Sequence, residues 1–591
     1  MDWKGLRAPG FSPARTPTSR SARLWLLLGA VIGVAVMSAL VLALASRFGP
    51  PPDPAALAPP RFVDESTTAG IGHVYRGGFE YFVGGGVATF DCDDDLLPEL
   101  FLAGGTEPAA VYRNRSTVGG ALSFDPIPDT ATDLKGVTGA YPLDVDGDGL
   151  TDLAVLRIGE NVLLRGLGDC RFERANERWG FDGGDGWTVG FSAQWPMQDD
   201  RLPTMVFGNY LRSADDRVCD EHALLVPVEA GAAYEAPIPV SPGWCALSML
   251  FSDWSGTGVM DLRVANDRHY YQGGQEQLLR LEAGRLIPFT SDEGWRPLQI
   301  WGMGIASTDL TGDGRPEIYI TSQGDNKLQT LVDGADGPAY TDIALERGVT
   351  AHRPHTGGDA LPSTAWHPQF ADVNNDGLVD LFVSKGNVDA MPEFARRDPS
   401  NLLIARADGT FAEAAEVSGV VSFDRARGAA VVDLNGDGLL DLIQVNREVE
   451  VGVWRNVGFG RGAEVVGAGA GDEADADGEG RVPAATPMGH WLAVRARQAG
   501  PNPDAVGGRV QVRDGEGRIQ DRELTVGGGH ASGSVGPVHV GLGPAVEAEV
   551  RVVWPDGERT DWWAVQVDQF VLIERGGDVP VTLSPLGDGG R

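Results

Sequence analysis

The sequence has little positive charge, few cysteines and few histidines. It carries 48 Lys and Arg side chains against 83 Asp and Glu, a net charge of −35. This acidity argues against nucleic acid or an anionic lipid surface as the main partner and suits the binding of cations. The four cysteines fit an oxidising compartment. Cys219 and Cys245 could close a local loop and leave Cys92 with Cys170, but three pairings are open and the sequence does not choose among them.

Motifs of common catalytic sites are also missing. No nucleophile flanked by a glycine elbow, no glycine-rich phosphate loop and no Cys-x-x-Cys pair occurs. His352, His355 and His367 fall within sixteen residues, a spacing that fits either a transition-metal site or, more commonly, a polar loop. Of the later histidines, we expect His539 to pack against a strand and His530 to lie in an exposed turn.

Glycine and proline, by contrast, are abundant. The chain of 591 residues has 82 Gly and 38 Pro, while hydrophobic residues still make up 42 %. Many turn residues combined with an ordinary apolar fraction indicate short strands joined by many turns, which is an all-β fold.

The N-terminus has the pattern of a membrane anchor. Residues 1–23 form a basic tail, residues 24–45 carry no charge, and residues 46–60 are rich in proline. An uncharged run of 22 residues spans about 33 Å as a helix, enough for a hydrocarbon core of about 30 Å. We therefore expect a signal-anchor with the bulk of the chain periplasmic or extracellular, or a secreted protein if this segment is a cleaved signal peptide.

An acidic loop recurs along the chain, each copy followed by an apolar run. Copies called loops 1 to 7 start at residues 91, 144, 196, 253, 309, 372 and 433. Each follows a strand of small residues, and several strands without amphipathic helices separate successive copies. The pattern predicts a seven-bladed β-propeller over residues 61–456. It leaves open which strand closes the propeller, and residues 62–82 are a candidate to complete the last blade.

The best copies read D-x-[D/N/T]-x-D-G-x-x-[D/E]. Oxygen ligands at positions 1, 3, 5 and 9 and a carbonyl at position 7 can surround one Ca²⁺, and glycine at position 6 permits the sharp turn. An EF-hand is excluded because position 12 is not Glu. The candidate ligands are Asp144, Asp146, Asp148, the Leu150 carbonyl and Asp152; Asp309, Thr311, Asp313, the Arg315 carbonyl and Glu317; Asp372, Asn374, Asp376, the Leu378 carbonyl and Asp380; and Asp433, Asn435, Asp437, the Leu439 carbonyl and Asp441.

The other three loops are poorer. Loop 1 offers Asp91, Asp93, Asp95 and Glu99, but Leu96 replaces the glycine. Loop 4 keeps only two carboxylates, and loop 3 has lost most of its own, so we expect no ion in loop 3. We expect several Ca²⁺ ions that mainly hold the blades together, because closely packed carboxylates repel one another until a cation binds.

These loops resemble the FG-GAP (VCBS-type) repeats of integrin α-chain propellers. The C-terminal part contains His490-Trp491-Leu492, Gly507-Gly508-Arg509-Val510, His539-Val540-Gly541-Leu542-Gly543 and Trp554-Pro555-Asp556-Gly557. In these segments it resembles the ASPIC/UnbV domain of proteins similar to cartilage acidic protein. It implies a calcium-binding propeller followed by a small β-rich, sandwich-like domain at residues 489–578. Between them lies a Gly/Ala/acidic linker, residues 457–488, and a tail follows at 579–591.

Two functions follow from these features. The first is a membrane-tethered, calcium-binding adhesion or matrix-type module at the cell surface, with a surface or matrix protein or a polysaccharide as partner. Fifteen tryptophans supply stacking surfaces for such ligands. The alternative is an envelope hydrolase or lyase that acts on carbohydrate or ester substrates. The missing acid/base motif favours the binding module.

Overall fold

Each acidic loop joins the first two strands of a four-stranded antiparallel group. The computed structural model describes residues 59–586 apart from residues 129, 197–200, 214, 216, 229–231, 268–273, 351–361, 390, 392–393 and 460–487. Within these residues, the chain between 62 and 456 forms seven such groups.

The groups follow one another along the chain. Groups 1 to 3 consist of β2 (Val87–Phe90), β3 (Glu99–Leu102), β4 (Ala110–Asn114) and β5 (Phe124–Ile127); β6 (Val137–Leu143), β7 (Asp152–Gly159), β8 (Val162–Gly166) and β9 (Phe172–Arg174); and β10 (Gly186–Gln194), β11 (Thr204–Asn209), β12 (His222–Leu225) and β13 (Ile238–Val240). Groups 4 and 5 consist of β14 (Ala246–Ser252), β15 (Asp261–Asn266), β16 (Gln277–Glu282) and β17 (Arg285–Pro288); and β18 (Gly302–Thr308), β19 (Glu317–Ser322), β20 (Lys327–Leu331) and β21 (Tyr340–Asp342). Group 6 consists of β22 (Ala365–Ala371), β23 (Asp380–Lys385), β24 (Asn401–Ala405) and β25 (Phe411–Glu413).

Group 7 takes its outer strand from the beginning of the described chain. It consists of β26 (Ala426–Val432), β27 (Asp441–Asn446), β28 (Gly452–Asn456) and β1 (Phe62–Asp64). Phe62 pairs with Asn456 and Asp64 with Trp454. Residues 62–64, part of the candidate segment 62–82, thus complete the last group.

The first strands of the groups lie next to one another. Each contacts the first strand of the following group, and β26 contacts β2. Strands β6 and β14 are buried at all seven of their positions. A strand covered on both faces is apolar or small throughout, which explains the small residues before each acidic loop.

Helices are short and few among the described residues. Two 3₁₀ turns span Phe79–Tyr81 and Ser291–Glu293, and two α-helical turns span Ala344–Arg347 and Ala415–Ser418. No described helix is long and apolar enough to cross a bilayer. The predicted span at residues 24–45 and the basic tail lie outside the described residues, as does most of the linker at 457–488.

The C-terminal domain has two four-stranded sheets. One contains β29 (His490–Arg497), β34 (Val538–Gly543), β37 (Gln569–Glu574) and β38 (Val581–Leu583); the other contains β30 (Arg509–Asp514), β31 (Ile519–Glu523), β35 (Glu547–Val553) and β36 (Trp563–Gln566). Buried aliphatic residues of both sheets form one apolar cluster. Two further short strands, β32 (Val526–Gly527) and β33 (Gly533–Ser534), leave this domain. β32 pairs with the first strands of groups 3 and 4, and β33 pairs with the first strand of group 1.

Two disulfides cross-link the groups. Cys92 bonds to Cys170 and Cys219 to Cys245. The first joins loop 1 to the turn between β8 and β9, and so links group 1 to group 2. Of the three pairings that the sequence leaves open, the structure has the one that includes the local 219–245 loop.

Candidate functional site

Six acidic loops share one backbone arrangement. The carboxylate at position 1 accepts a hydrogen bond from the amide at position 6, over distances of 2.7–3.0 Å, in loops 1, 2, 4, 5, 6 and 7. In the five loops with a full set of candidate ligands, the carboxylate at position 9 also accepts from the amide at position 2. These bonds aim the side chains inward, so the loops are built alike although their sequences differ.

Loop 1 keeps this arrangement despite Leu96. Leu96 has a φ of 65°, in the left-handed region that its glycine counterparts Gly149 and Gly438 occupy at 87° and 81°. Its amide still donates to Asp91 Oδ2 over 3.0 Å. The leucine therefore accepts backbone strain and preserves the loop, which removes the reason for treating loop 1 as the poorer copy.

Loops 1 and 2 bring three carboxylates together. In each loop the ligand oxygens of Asp91, Asp93 and Glu99, or of Asp144, Asp146 and Asp152, lie within 4.8 Å of one another. The buried oxygens Asp93 Oδ1 and Asp146 Oδ1 have no hydrogen-bond partner. Buried oxygens without a hydrogen-bond donor suit a hard cation, since buried polar atoms in proteins usually have a partner.

Arginines on neighbouring strands pair with the carboxylates of the same two loops. Arg165 on β8 places Nε 2.9 Å from Asp146 Oδ2 and also pairs with Asp148, while Arg113 on β4 lies 3.7 Å from Asp93. Each arginine neutralises part of the acidic charge from outside the loop. The oxygens that face the loop interior remain for an ion.

Loops 6 and 7 are the most buried. Burial, together with repulsion from Asp376, raises the pKa of Asp372 to about 8. Burial and Asp437 raise the pKa of Asp433 to about 7 in the same way. Asp437 Oδ2 has no hydrogen-bond partner. Carboxylates in this state are costly to ionise without a cation, and a divalent ion would remove the cost.

Loops 4 and 5 differ from this pattern. In loop 4, Arg509 of the C-terminal domain lies 3.4 Å from Asp253 Oδ2, so a guanidinium occupies the place of a cation. Loop 5 is the most exposed of the five loops that have a full set of candidate ligands. Its Arg315, at position 7, pairs with Asp313 of the same loop. In loop 3, residues 197–200 lie outside the described residues.

The C-terminal domain covers the acidic loops. Arg509 donates to the Gly314 carbonyl over 2.9 Å, and His539 Nε2 lies 2.7 Å from Asn375 Oδ1. The Leu586 amide donates to the Asp95 carbonyl over 2.9 Å. A Cβ on Gly438 would lie 1.9 Å from the Trp491 ring, and one on Gly147 would lie 2.8 Å from Pro501. All six loops are therefore in contact with this domain.

The predicted histidine sites have three outcomes. His352 and His355 lie outside the described residues, and His367 is buried. His539 packs as expected, with its ring stacked 5.8 Å from Trp491. The prediction for His530 is wrong: its side chain is fully buried, because the glycine-rich turn that carries it packs against the first strands of several groups.

An open groove lies between groups 4 and 5. It encloses about 550 Å³ and is lined by Trp254, Phe289, Arg280, Glu293, Asp292 and Asp336. A hydrogen bond of 2.7 Å from Trp254 Nε1 to Asp261 fixes the indole. Asp292 and Asp336 are exposed. The sequence gives no local signal for this groove, because its residues come from three separate loops.

Comparison with known proteins places two family matches on this architecture. Residues 309–383 match the FG-GAP-like repeat, and residues 498–579 match the ASPIC and UnbV family. Cartilage acidic protein 1 from Homo sapiens is 26 % identical over 220 residues, which are 34 % of this chain and 30 % of that protein. The match thus spans about a third of the relative's length.

Solved structures of other proteins resemble this chain with low TM-scores. An Agrocybe aegerita lectin described as recognising non-reducing terminal N-acetylglucosamine is 17 % identical, with a TM-score of 0.34 over 61 % of this chain and 88 % of that chain. The Dos1 propeller is 9 % identical, with a TM-score of 0.33 over 68 % and 95 %. The family matches confirm the resemblance read from the sequence: the chain carries an FG-GAP-like repeat followed by an ASPIC/UnbV domain.

Proposed function

We infer that the seven groups are the blades of a closed seven-bladed propeller. The inference is supported by the unbroken series of contacts between first strands, which returns from β26 to β2. The pairing of β1 with β28 joins the two ends of the repeat region in one sheet. A closed ring leaves no exposed end that would need a cap.

We propose that this propeller is an exported, membrane-tethered calcium-binding module that recognises a cell-surface polysaccharide. Ca²⁺ would be held by the oxygens of loops 1, 2, 5, 6 and 7. There it would neutralise the buried carboxylates and stiffen the loop face against which the C-terminal domain packs. Because that domain contacts all five of these loops, the ions have a structural role, and the ligand binds instead beside loop 4, which lacks a full set of ion ligands.

The observation that carries the binding function is the groove between groups 4 and 5. An indole held in place by Asp261 offers a flat apolar surface, and Asp292 and Asp336 offer free acceptors for hydroxyl groups. Sugars combine apolar ring faces with hydroxyl donors, and such a mixture of aromatic and carboxylate groups suits them.

Two disulfides among the described residues support export, since disulfides persist in oxidising compartments. The uncharged segment 24–45 supports tethering. Export and membrane tethering are therefore included in the proposed function.

The test is retention of the protein on immobilised envelope polysaccharide from the cells that produce it. We expect retention in millimolar Ca²⁺ and at least tenfold weaker retention of the double variant D292N/D336N. The double variant D408N/D561N removes the same charge at exposed positions away from the groove and serves as the control. Equal retention of both variants would contradict the proposed site. Capture of a surface protein with no retention on polysaccharide would show that the ligand is a protein and not a polysaccharide.

A further inference from the structure

The glycine-rich stretch that the sequence analysis placed in an exposed turn runs instead through the middle of the seven groups. We name residues 526–535 the plug loop. We propose that the plug loop fastens the ring from its centre, so that ring closure depends on the C-terminal domain. The proposal rests on the ring inferred above and does not depend on calcium or on the groove.

The plug loop enters beside groups 3 and 4. Val526 and Gly527 pair with Ala193 and Ser192 of β10, and Gly527 pairs with Leu250 of β14. The Ser192 hydroxyl donates to the Val526 carbonyl over 2.6 Å. One short strand thus bridges two groups and joins their sheets.

The middle of the plug loop reaches groups 5 and 6. The Gly529 amide donates to the Ile305 carbonyl of β18 over 2.7 Å. The His530 amide donates to His367 Nδ1 of β22 over 3.1 Å. His530 is fully buried, so the bond from its amide satisfies a donor that would otherwise lack a partner.

The His530 side chain forms hydrogen bonds with the backbone of group 1 and group 5. Its Nε2 accepts from the Gly84 amide over 3.1 Å, and its Nδ1 faces the Met303 carbonyl at 3.3 Å. An acceptor at Nε2 and a donor at Nδ1 describe the neutral imidazole with its proton on Nδ1. The ring lies 5.0 Å from the ring of Trp366.

The last part of the plug loop contacts groups 1, 2 and 7. Ala88 and Thr89 of β2 pair in parallel with Gly533 and Ser534, and the Ala140 amide of β6 donates to the Ala531 carbonyl over 3.3 Å. On β26, a Cβ at Gly428 would lie 2.3 Å from Ser532 Oγ. All seven groups therefore contact ten consecutive residues.

Glycines on or just before the first strands make room for the plug loop. A Cβ at Gly86 would lie 1.7 Å from the Ala531 carbonyl oxygen, and a Cβ at Gly139 would lie 2.1 Å from the same atom. The three atoms nearest to a Cβ at Gly139 all belong to Ala531. Neither glycine has a positive φ, so the close approach of the plug loop is what requires them.

The test uses the full chain with a protease site inserted in the linker between residues 460 and 487. After cleavage, we expect the propeller and the C-terminal fragment to co-elute in gel filtration. Gly139→Ala should displace the plug loop and raise dissociation of the fragments by at least about tenfold. Gly536→Ala is the matched control, because a Cβ there meets no atom within 4 Å. Co-elution of the Gly139→Ala fragments at wild-type strength would overturn the proposal.

Hydrogen exchange on the intact wild-type chain gives a second measurement in case Gly139→Ala does not fold. We expect the amides of Gly528, Gly529 and His530 to exchange as slowly as those of β10 and β14, about 10³-fold or more below the unfolded rate, in EDTA as well as in calcium. Exchange at the rate of an exposed loop would refute the plug. Failure of calcium or polysaccharide binding leaves both results unaffected.

Discussion

The backbone amide of Gly84 donates a hydrogen bond to the imidazole of His530 over 3.1 Å, although 446 positions separate the two residues. Gly84 lies just before the first strand of the first group, and His530 belongs to the C-terminal domain. This bond therefore joins the beginning of the repeat region to a domain that follows its end. It also keeps His530 neutral, because a protonated ring could not accept it.

Acid should destabilise the protein through His530. Burial, together with the charge of Arg427, lowers its pKa to about 3 in the folded state, against about 6.5 in the unfolded chain. The unfolded state thus binds the proton first: stability is full above pH 6.5 and is lost as the pH falls towards 3. His367 accepts a hydrogen bond from the His530 amide, and its own lowered pKa acts in the same direction.

The measurement is the free energy of unfolding of wild type and of His530→Gln between pH 7 and 4. As the pH falls, the free energy of unfolding of the variant should decrease by about 1.4 kcal/mol per pH unit less than that of wild type, since the variant lacks one titrating group. Carboxylates with raised pKa values are common to both proteins and cancel in the difference. Parallel curves would show that His530 titrates normally and is not buried.

The two disulfides should contribute unequally. Cys92 and Cys170 are 78 residues apart and Cys219 and Cys245 are 26 apart. Loop-closure entropy predicts about 4.5 kcal/mol for the first and about 3.5 kcal/mol for the second. We expect C92A/C170A to unfold at lower denaturant concentration than C219A/C245A. The reverse order would mean that the link between groups 1 and 2 adds little.

A buried ion pair supports the end of β23. Lys385 Nζ lies 2.6 Å from Asp398 Oδ1, and both side chains are fully buried. Asp398→Ala would leave a buried ammonium without its partner and should cost about 3–5 kcal/mol of stability. The double variant K385M/D398L should recover most of this loss. If the double variant is as unstable as Asp398→Ala, hydrogen bonds such as that from Ser363 to Asp398 carry the stability instead.

Asp437→Asn should change the sign of its effect with calcium. Asp437 repels Asp433 and Asp441, so its removal should leave stability equal or higher in EDTA. In about 2 mM Ca²⁺ it should lower stability by about 0.6–1.8 kcal/mol, the linkage energy of one site with a Kd of about 10⁻⁴–10⁻³ M. Asp408→Asn removes an exposed carboxylate and is the control. A loss of equal size in both conditions would point to a purely structural carboxylate.

Short-range features of the fold could be predicted from the sequence, and long-range ones could not. The acidic loops place all their ligands within nine residues, so their spacing alone indicates the turn between the first two strands of each group. Leu96 could not be predicted in this way, because only the backbone coordinates show that a leucine adopts the left-handed conformation of the glycine it replaces. The plug loop was missed because its partners are hundreds of residues away. Gly86 and Gly139 are the sequence features that the plug loop requires, but glycines at these positions are equally consistent with buried strands of small residues.

Calcium binding by the acidic loops can be measured most directly by calorimetric titration of the full chain, paired with thermal unfolding in EDTA and in millimolar Ca²⁺. The account predicts one ion in each of loops 1, 2, 5, 6 and 7, Kd values of about 10⁻⁴–10⁻³ M and a transition that moves to higher temperature as Ca²⁺ is added. Identical unfolding in both conditions, with no heat of binding from a folded protein, would contradict it.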